Sequence, residues 1–304
     1  MEGLDLSTQI PQALDAGGQM LARHGIEDPR TEAALLLAFA LKKPREYVYM
    51  EPDGYLTAEQ SETYRQALEQ RARRVPYAYV VGKREFMGLE FFVNRSVLIP
   101  RPDTEILVET VLRSRCEDQG SGFEGGTAQS LLDLCTGSGA VALALAVHWP
   151  ELGLIMGTDI SDEALGVARF NAERLGVSRV VWEKGDLWDA VGERVFDCIT
   201  VNPPYISTED YGLCAPEVRC EPRLALWGGV DGLDYYRRIA AGAGQHLKAG
   251  GKIYMEIAWN QADSVRGLLE RAGFVSEVFR DLAGRDRVVA AWVGHPKMAE
   301  IQGV

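Results

Sequence analysis

The chain is short of the residues that hold metals and disulfides, with 5 cysteines and 4 histidines in 304 residues. Cys116, Cys135, Cys198, Cys214 and Cys220 form no Cys-x-x-Cys pair and face no His-rich partner segment. A metal centre or a disulfide framework is therefore not expected, and a reducing cytoplasm fits best. Long apolar runs are missing as well. None approaches the roughly 20 residues that span a bilayer, so no membrane association is expected. Residues 1–10 are acidic and mixed, unlike a secretory leader. Basic charge is in deficit: 32 Lys and Arg against 44 Asp and Glu give a net charge of −12. That balance argues against direct binding of duplex nucleic acid, although it leaves room for a local basic patch. No Gly-x-x-x-x-Gly-Lys-[Ser/Thr] run is present, which argues against a P-loop nucleotide site.

What is present reads as a globular protein, with 46% hydrophobic and 25% charged residues. The first 75 or so residues carry helical spacing and no strand alternation. A dense apolar helix covers residues 33–41, started by Asp28-Pro29, and a polar helix covers 57–74 with Thr57 as its N-cap. Two short apolar arms around Gly88 predict a hairpin within 85–93. Pro100 and Pro102 then stop the chain, and Asp103 or Thr104 is placed to cap a helix over 106–115. Residues 119–129 are Gly-rich and polar, as in a surface linker. From residue 130 strands and helices alternate. Strands are expected at 130–134, 154–158, 179–183, Phe196–Val201 and 252–257, with helices at Ala140–His148, 162–175, 233–247 and 261–272. This is the pattern of a doubly wound, mostly parallel sheet. Residues 275–279 and 287–293 read as an antiparallel pair closing its edge. The expected organisation is a helical domain at 1–80, a hairpin and linker at 81–128, and an α/β domain at 129–304.

Two strand ends carry the chemistry. The first strand runs into Cys135-Thr136-Gly137-Ser138-Gly139 and then a helix. Gly137 and Gly139 permit a tight turn and a close backbone approach to a ligand. Asp159 ends the next strand, where an acid can accept both hydroxyls of a ribose. Asp186 follows the third strand, where it can accept an adenine amino proton while Leu187 packs on the ring. The third glycine of the dinucleotide fingerprint is missing, which favours S-adenosylmethionine over NAD. The second end is Asn202-Pro203-Pro204-Tyr205, after the fourth strand. The Asn202 side-chain oxygen and the Pro203 carbonyl can each accept one N–H of a planar NH2 group. Pro204 has no N–H and stiffens the backbone, and Tyr205 offers a flat face for stacking.

These pieces resemble the class I S-adenosylmethionine-dependent methyltransferases. Within them the chain is similar to the peptide chain release factor N5-glutamine methyltransferases, the PrmC/HemK family, over nearly its whole length. Leu98-Ile99-Pro100-Arg101-Pro102-Asp103-Thr104-Glu105 is the most specific match, beside Asp133 to Gly139, Asn202 to Tyr205 and Glu217 to Pro222. The resemblance implies a seven-stranded Rossmann-like sheet with a small N-terminal helical domain. It implies that Cys135 to Gly139, Asp159, Asp186 and Leu187 hold S-adenosylmethionine, with Asn202 bordering it. Asn202, Pro203, Pro204 and Tyr205 would hold the glutamine of the release factor's Gly-Gly-Gln motif, with S-adenosylhomocysteine as product. Cys135 departs from the family, which usually has glycine there, so its side chain is expected to point away from the ligand or shift it slightly. The helical domain would dock the protein substrate, with Arg71, Arg73, Arg74, Lys83 and Arg84 meeting acidic partner surface. A glutamine methyltransferase of a large-subunit ribosomal protein, a DNA adenine-N6 methyltransferase and a non-catalytic S-adenosylmethionine-binding module remain the alternatives. Gly17-Gly18-Gln19 also spells the target tripeptide, in a segment expected to be helical.

Overall fold

The computed structural model describes residues 8–119 and 129–294. The expected linker therefore lies mostly outside the described residues. The chain divides into two compact units, one formed by the residues up to Lys83 with Ala215–Cys220, the other by Arg84–Cys214 and the residues from Glu221 onward.

The first unit is helical: α1 (Ile10–Arg23), α2 (Pro29–Leu41), α3 (Tyr47–Met50), α4 (Ala58–Ala72) and α5 (Tyr77–Val81). Pro29 fills the first helical position of α2, where its missing N–H is not needed. Thr57 caps α4 in a reciprocal capping box with Gln60. The apolar faces of α1, α2 and α4 close on a core that includes Leu14, Leu21, Leu36, Leu37, Tyr64 and Leu68. Arg71 does not face a partner, as its basic neighbourhood suggested. It is buried and bonded to Glu32 and Glu217, each at 3.0 Å, while Arg74 pairs with Glu217 at 2.8 Å.

Gly17 owes its place in α1 to packing. A Cβ there would collide with the Tyr64 hydroxyl, which donates to the Ala13 carbonyl at 3.3 Å. The first glycine of the Gly-Gly-Gln run in α1 thus has a structural cause. We expect Gly17→Ala to destabilise the unit by about 1–3 kcal/mol through overpacking, against the gain of under ~1 kcal/mol in helix propensity. Tyr64→Phe in the same chain should recover part of the loss. Thermal unfolding of the two variants and their double mutant checks this, and additive losses would contradict it.

The second unit opens with the hairpin β1 (Lys83–Phe86) and β2 (Leu89–Phe92), followed by α6 (Pro102–Gln119). The helix begins at Pro102, four residues before the expected start, because proline suits the first helical turn. Asp103 and Thr104 therefore lie inside that turn and do not cap it. Next come β3 (Leu131–Leu134), α7 (Ala140–His148), β4 (Ile155–Asp159), α8 (Asp162–Arg174), β5 (Val180–Lys184) and β6 (Phe196–Val201). The chain ends with α9 (Thr208–Leu213), α10 (Asp234–His246), β7 (Leu247–Glu256), α11 (Ala262–Arg271), β8 (Phe274–Arg280) and β9 (Asp286–Val293).

The seven-stranded sheet has the order β5-β4-β3-β6-β7-β9-β8. Strands β3 to β7 pair in parallel, and β9 runs antiparallel to β7 and β8. One apolar layer packs Ile239, Ala243, Val265 and Leu269 from α10 and α11 against Ile199, Val201, Ile253 and Met255. The other packs Leu107 and Val111 of α6 and nearly all of α7 against Leu131, Ile155 and Tyr254. Asn171 of α8 is buried between them and the hairpin. Its amide donates to the Phe92 and Ser138 carbonyls and its oxygen accepts from the Phe92 N–H, at 2.7–3.0 Å. The strand order reverses between β3 and β6, so a crevice must open at the carboxyl ends of those two strands.

Candidate functional site

The register fixes what meets at that crevice. Leu134 of β3 lies opposite Val201 of β6 and Thr158 of β4. The residues that follow, Cys135, Asn202 and Asp159, must therefore emerge beside one another. A cavity occupies this edge, lined by Cys135, Thr136, Gly137, Ser138, Asp159, Asp186, Leu187, Asn202 and Pro204. Gly139, Pro203 and Tyr205 do not line it.

The loop after β3 stands on Asp133, which is 2% exposed. The Thr136 and Thr200 hydroxyls donate to its carboxylate at 2.6 and 2.8 Å, and the Ala142 N–H donates as well. Burial nevertheless raises its pKa to about 6. Asp159 closes the loop from the other side, accepting from Gly137 N–H at 2.9 Å and Ser161 N–H at 3.0 Å. Burial pushes its pKa up. Ser161 caps α8 through Ala164 N–H, so Asp159 is not needed for that task. Gly137 has φ of +55° and open space where a Cβ would project. Gly139 serves packing: its Cβ direction is filled by Trp182, Leu143 and Ala168 at 3.0–3.2 Å.

Cys135 has φ of +56°, a left-handed conformation that favours glycine. The residue borders the cavity, and it packs against the apolar core below. Burial and the nearby Asp159, Asp133 and Asp186 hold the thiol neutral, well above its ordinary pKa. Cys135→Gly relieves the backbone but loosens the unfolded chain, so stability should change by less than about 1 kcal/mol. Affinity for S-adenosylmethionine, measured by calorimetry, should rise or stay level. A clear fall would show that the thiol contributes to binding.

The wall has a sign. Its charged residues are Asp133, Asp159 and Asp186, and no basic side chain lines it among the described residues. A pyrophosphate would find three acids and no cation here. A cationic ligand suits this acidic wall better than an anionic one. Asp186 is shared: one of its oxygens pairs with Arg238 at 2.8 Å.

The Asn-Pro-Pro-Tyr segment is braced from several sides. Asn202 Nδ2 donates to Thr104 Oγ1 at 3.2 Å. Tyr205, expected as a stacking face, instead anchors the segment, its hydroxyl donating to Glu256 Oε1 at 3.3 Å. Gln261 Nε2 donates to the Tyr205 carbonyl at 3.0 Å. Gly228 lies so close that a Cβ would come within 2.6 Å of the Pro204 oxygen. Glu221 accepts from Ile99 N–H at 3.0 Å and pairs with Arg101. Sequence reasoning missed these roles of Thr104, Glu256 and Gln261, and only Glu256, an acid after the apolar run Ile253-Tyr254-Met255, carries a local signal. No group of three or more potential metal ligands occurs among the described residues, and no helix there is long and apolar enough to cross a membrane.

Residues 12–82 match the PrmC N-terminal domain and residues 104–215 the Methyltransferase small domain. Among solved structures, the hMettl16 catalytic domain in complex with MAT2A 3′UTR hairpin 1 aligns with a TM-score of 0.54 at 15% identity, over 86% of this chain and 92% of that one. That likeness bears on the fold alone. Among relatives, the release factor glutamine methyltransferase of Geobacter sulfurreducens is 40% identical over 287 residues, 94% of this chain and 97% of that protein. That of Moorella thermoacetica is 40% identical over 93% of this chain and 98% of its own length. With such identity sustained from end to end, the chain belongs to the release factor glutamine methyltransferase family.

Proposed function

We propose that this protein transfers the methyl group of S-adenosylmethionine to the side-chain amide nitrogen (N5) of the glutamine in the Gly-Gly-Gln motif of peptide chain release factors. The observation that carries the reading is the Asn202 amide at the cavity edge. Its NH2 is tied to Thr104, so its oxygen is the end left to accept from a substrate. The Pro203 carbonyl, set behind the lining residues Asn202 and Pro204, is the second acceptor in this reading. The names of the relatives supply the acceptor class.

The bound cofactor supplies an electrophilic methyl on a cationic sulfur. A glutamine amide is a weak nucleophile because its nitrogen lone pair is delocalised into the carbonyl. Asn202 and Pro203, accepting its two N–H groups, turn the nitrogen toward the cavity and favour the electron density it needs at transfer. Asp133, Asp159 and Asp186 make the wall attractive to the cationic cofactor and less so to the neutral product. Asp159 would take the ribose hydroxyls, and Asp186 and Leu187 would border the adenine. No base is needed before attack, since the proton can leave to water afterwards. The helical unit, with Tyr49, Met50 and Tyr55 exposed, supplies docking surface for the release factor.

Mass spectrometry of purified release factor incubated with this protein and S-adenosylmethionine tests the reading. We expect one added methyl on the glutamine of the Gly-Gly-Gln loop. A folded release factor left unmodified, with cofactor binding intact, would exclude it as the substrate.

A further inference from the structure

We infer that Glu221 is a positioning residue that holds together two wall segments on the acceptor side of the cavity. The inference rests on the reading above that the acceptor amide meets Asn202 and Pro203. The cofactor loop and its acids stand on the ends of β3, β4 and β5. The rest of the wall includes Leu98 and Pro100 of one segment and Pro222 and Leu224 of another. All four belong to the α/β unit, yet none lies in a strand or an α-helix. Ladder hydrogen bonds therefore do not fix them, and side chains must.

Both segments adjoin Asn202. The second runs beside the Asn-Pro-Pro-Tyr segment: Ile206 N–H donates to the Leu226 carbonyl and Gly228 N–H to the Ile206 carbonyl, each at 2.9 Å. The first leads into Thr104, which holds the Asn202 amide. Glu221 joins the two. Its Oε2 accepts from Ile99 N–H at 3.0 Å, and its Oε1 accepts from the Arg101 guanidinium. Ile99 lies between the wall residues Leu98 and Pro100, and Glu221 directly precedes Pro222. One carboxylate thus fixes a peptide of one wall from the root of the other, 122 residues away. Ile99 and Glu221 are each 4% exposed, so water does not replace the bond. Pro100 and Pro102 have no N–H with which to anchor the first segment.

Donor counting makes the carboxylate necessary. Ile99 N–H and the Arg101 guanidinium both donate, and an ionised carboxylate has an accepting oxygen for each. A glutamine has one. In E221Q its NH2 must face either the Ile99 N–H or the guanidinium, donor against donor, in a buried place. Replacing Arg101 by methionine as well removes the conflict. The glutamine oxygen can then take Ile99 N–H, and the walls stay joined without the ion pair. The cofactor loop is held by Asp133 and Asp159 and does not use Glu221.

The test compares wild type, E221Q and E221Q/R101M in the full chain. It reads methylation of release factor, calorimetry with S-adenosylmethionine, and hydrogen exchange of the Ile99 amide by NMR. In E221Q, kcat/KM for release factor should fall on the order of 10- to 100-fold while the cofactor Kd stays within about threefold. The Ile99 amide should exchange faster. E221Q/R101M should protect that amide again and recover most of the lost kcat/KM. A merely structural ion pair predicts the opposite, since the double variant has lost both charges. An E221Q with wild-type kcat/KM, a loss shared equally by cofactor affinity, or a double variant no better than E221Q overturns the inference. If E221Q fails to fold, the double variant decides: an impaired turnover or an unprotected Ile99 amide overturns it. A wild type that leaves release factor unmethylated would sink the proposed substrate, and Ile99 exchange in E221Q against the double variant would still decide whether Glu221 holds the wall.

Discussion

Asn202→Ala should lower kcat for methyl transfer on the order of 100- to 1,000-fold, about 2.7–4 kcal/mol, while the Kd for S-adenosylmethionine stays within about threefold. The asymmetry comes from where the side chain is held. The cofactor loop is built on Asp133 and Asp159, which do not use Asn202 for support. Asn202 instead hangs from Thr104, on the part of the cavity edge where we propose that the substrate binds. Its loss removes an acceptor that matters most when the amide nitrogen must give up electron density. Asn202→Asp is the sharper comparison, because it keeps an oxygen and loses the donor to Thr104. It should fall between wild type and Asn202→Ala. Single-turnover kinetics with cofactor calorimetry separates these effects, and equal losses in kcat and cofactor affinity would refute the role given to Asn202.

The parts of this site that the sequence discloses are those written in consecutive residues. Phe196–Val201 and Ala140–His148 appear in the structure with the expected ends, because Asn-Pro-Pro and Ser-Gly punctuate them sharply. Strand β7 begins at Leu247, five residues earlier than expected, since Lys248-Ala249-Gly250-Gly251 reads locally as a turn. Tyr205 has the composition of a stacking platform, yet its hydroxyl is claimed by a carboxylate 51 residues away. The Asn202 to Thr104 bond spans 98 residues, and no spacing rule reaches that far. Glu256 sits in the apolar run Lys252-Ile253-Tyr254-Met255-Glu256-Ile257. An acid buried at a strand's carboxyl end was the available signal, and only the sheet register gives it meaning.

Asp133→Ala should be the most destabilising change in the α/β unit, by about 3–5 kcal/mol, because it leaves the Thr136 and Thr200 hydroxyls and the Ala142 N–H without their buried acceptor. Asp133→Asn keeps an oxygen and the volume, and the hydroxyls can rotate to meet its NH2. At pH 8 it should cost far less than the alanine. The pH dependence identifies the cause. Burial raises the Asp133 pKa from 3.8 to about 6, so between those values the folded state binds the extra proton. Stability from this group therefore grows as pH falls through 6 and declines as pH rises, opposite to a salt-bridged carboxylate. Going from pH 8 to pH 5, the wild type should gain about 1.4 kcal/mol that Asp133→Asn cannot gain. The gap between the two, measured by urea unfolding, should widen by that amount at the lower pH. A gap independent of pH would mean that Asp133 is ionised in the fold throughout this range. The three donors would then hold its charge at no net cost, and the loop would rest on a carboxylate that folding does not perturb.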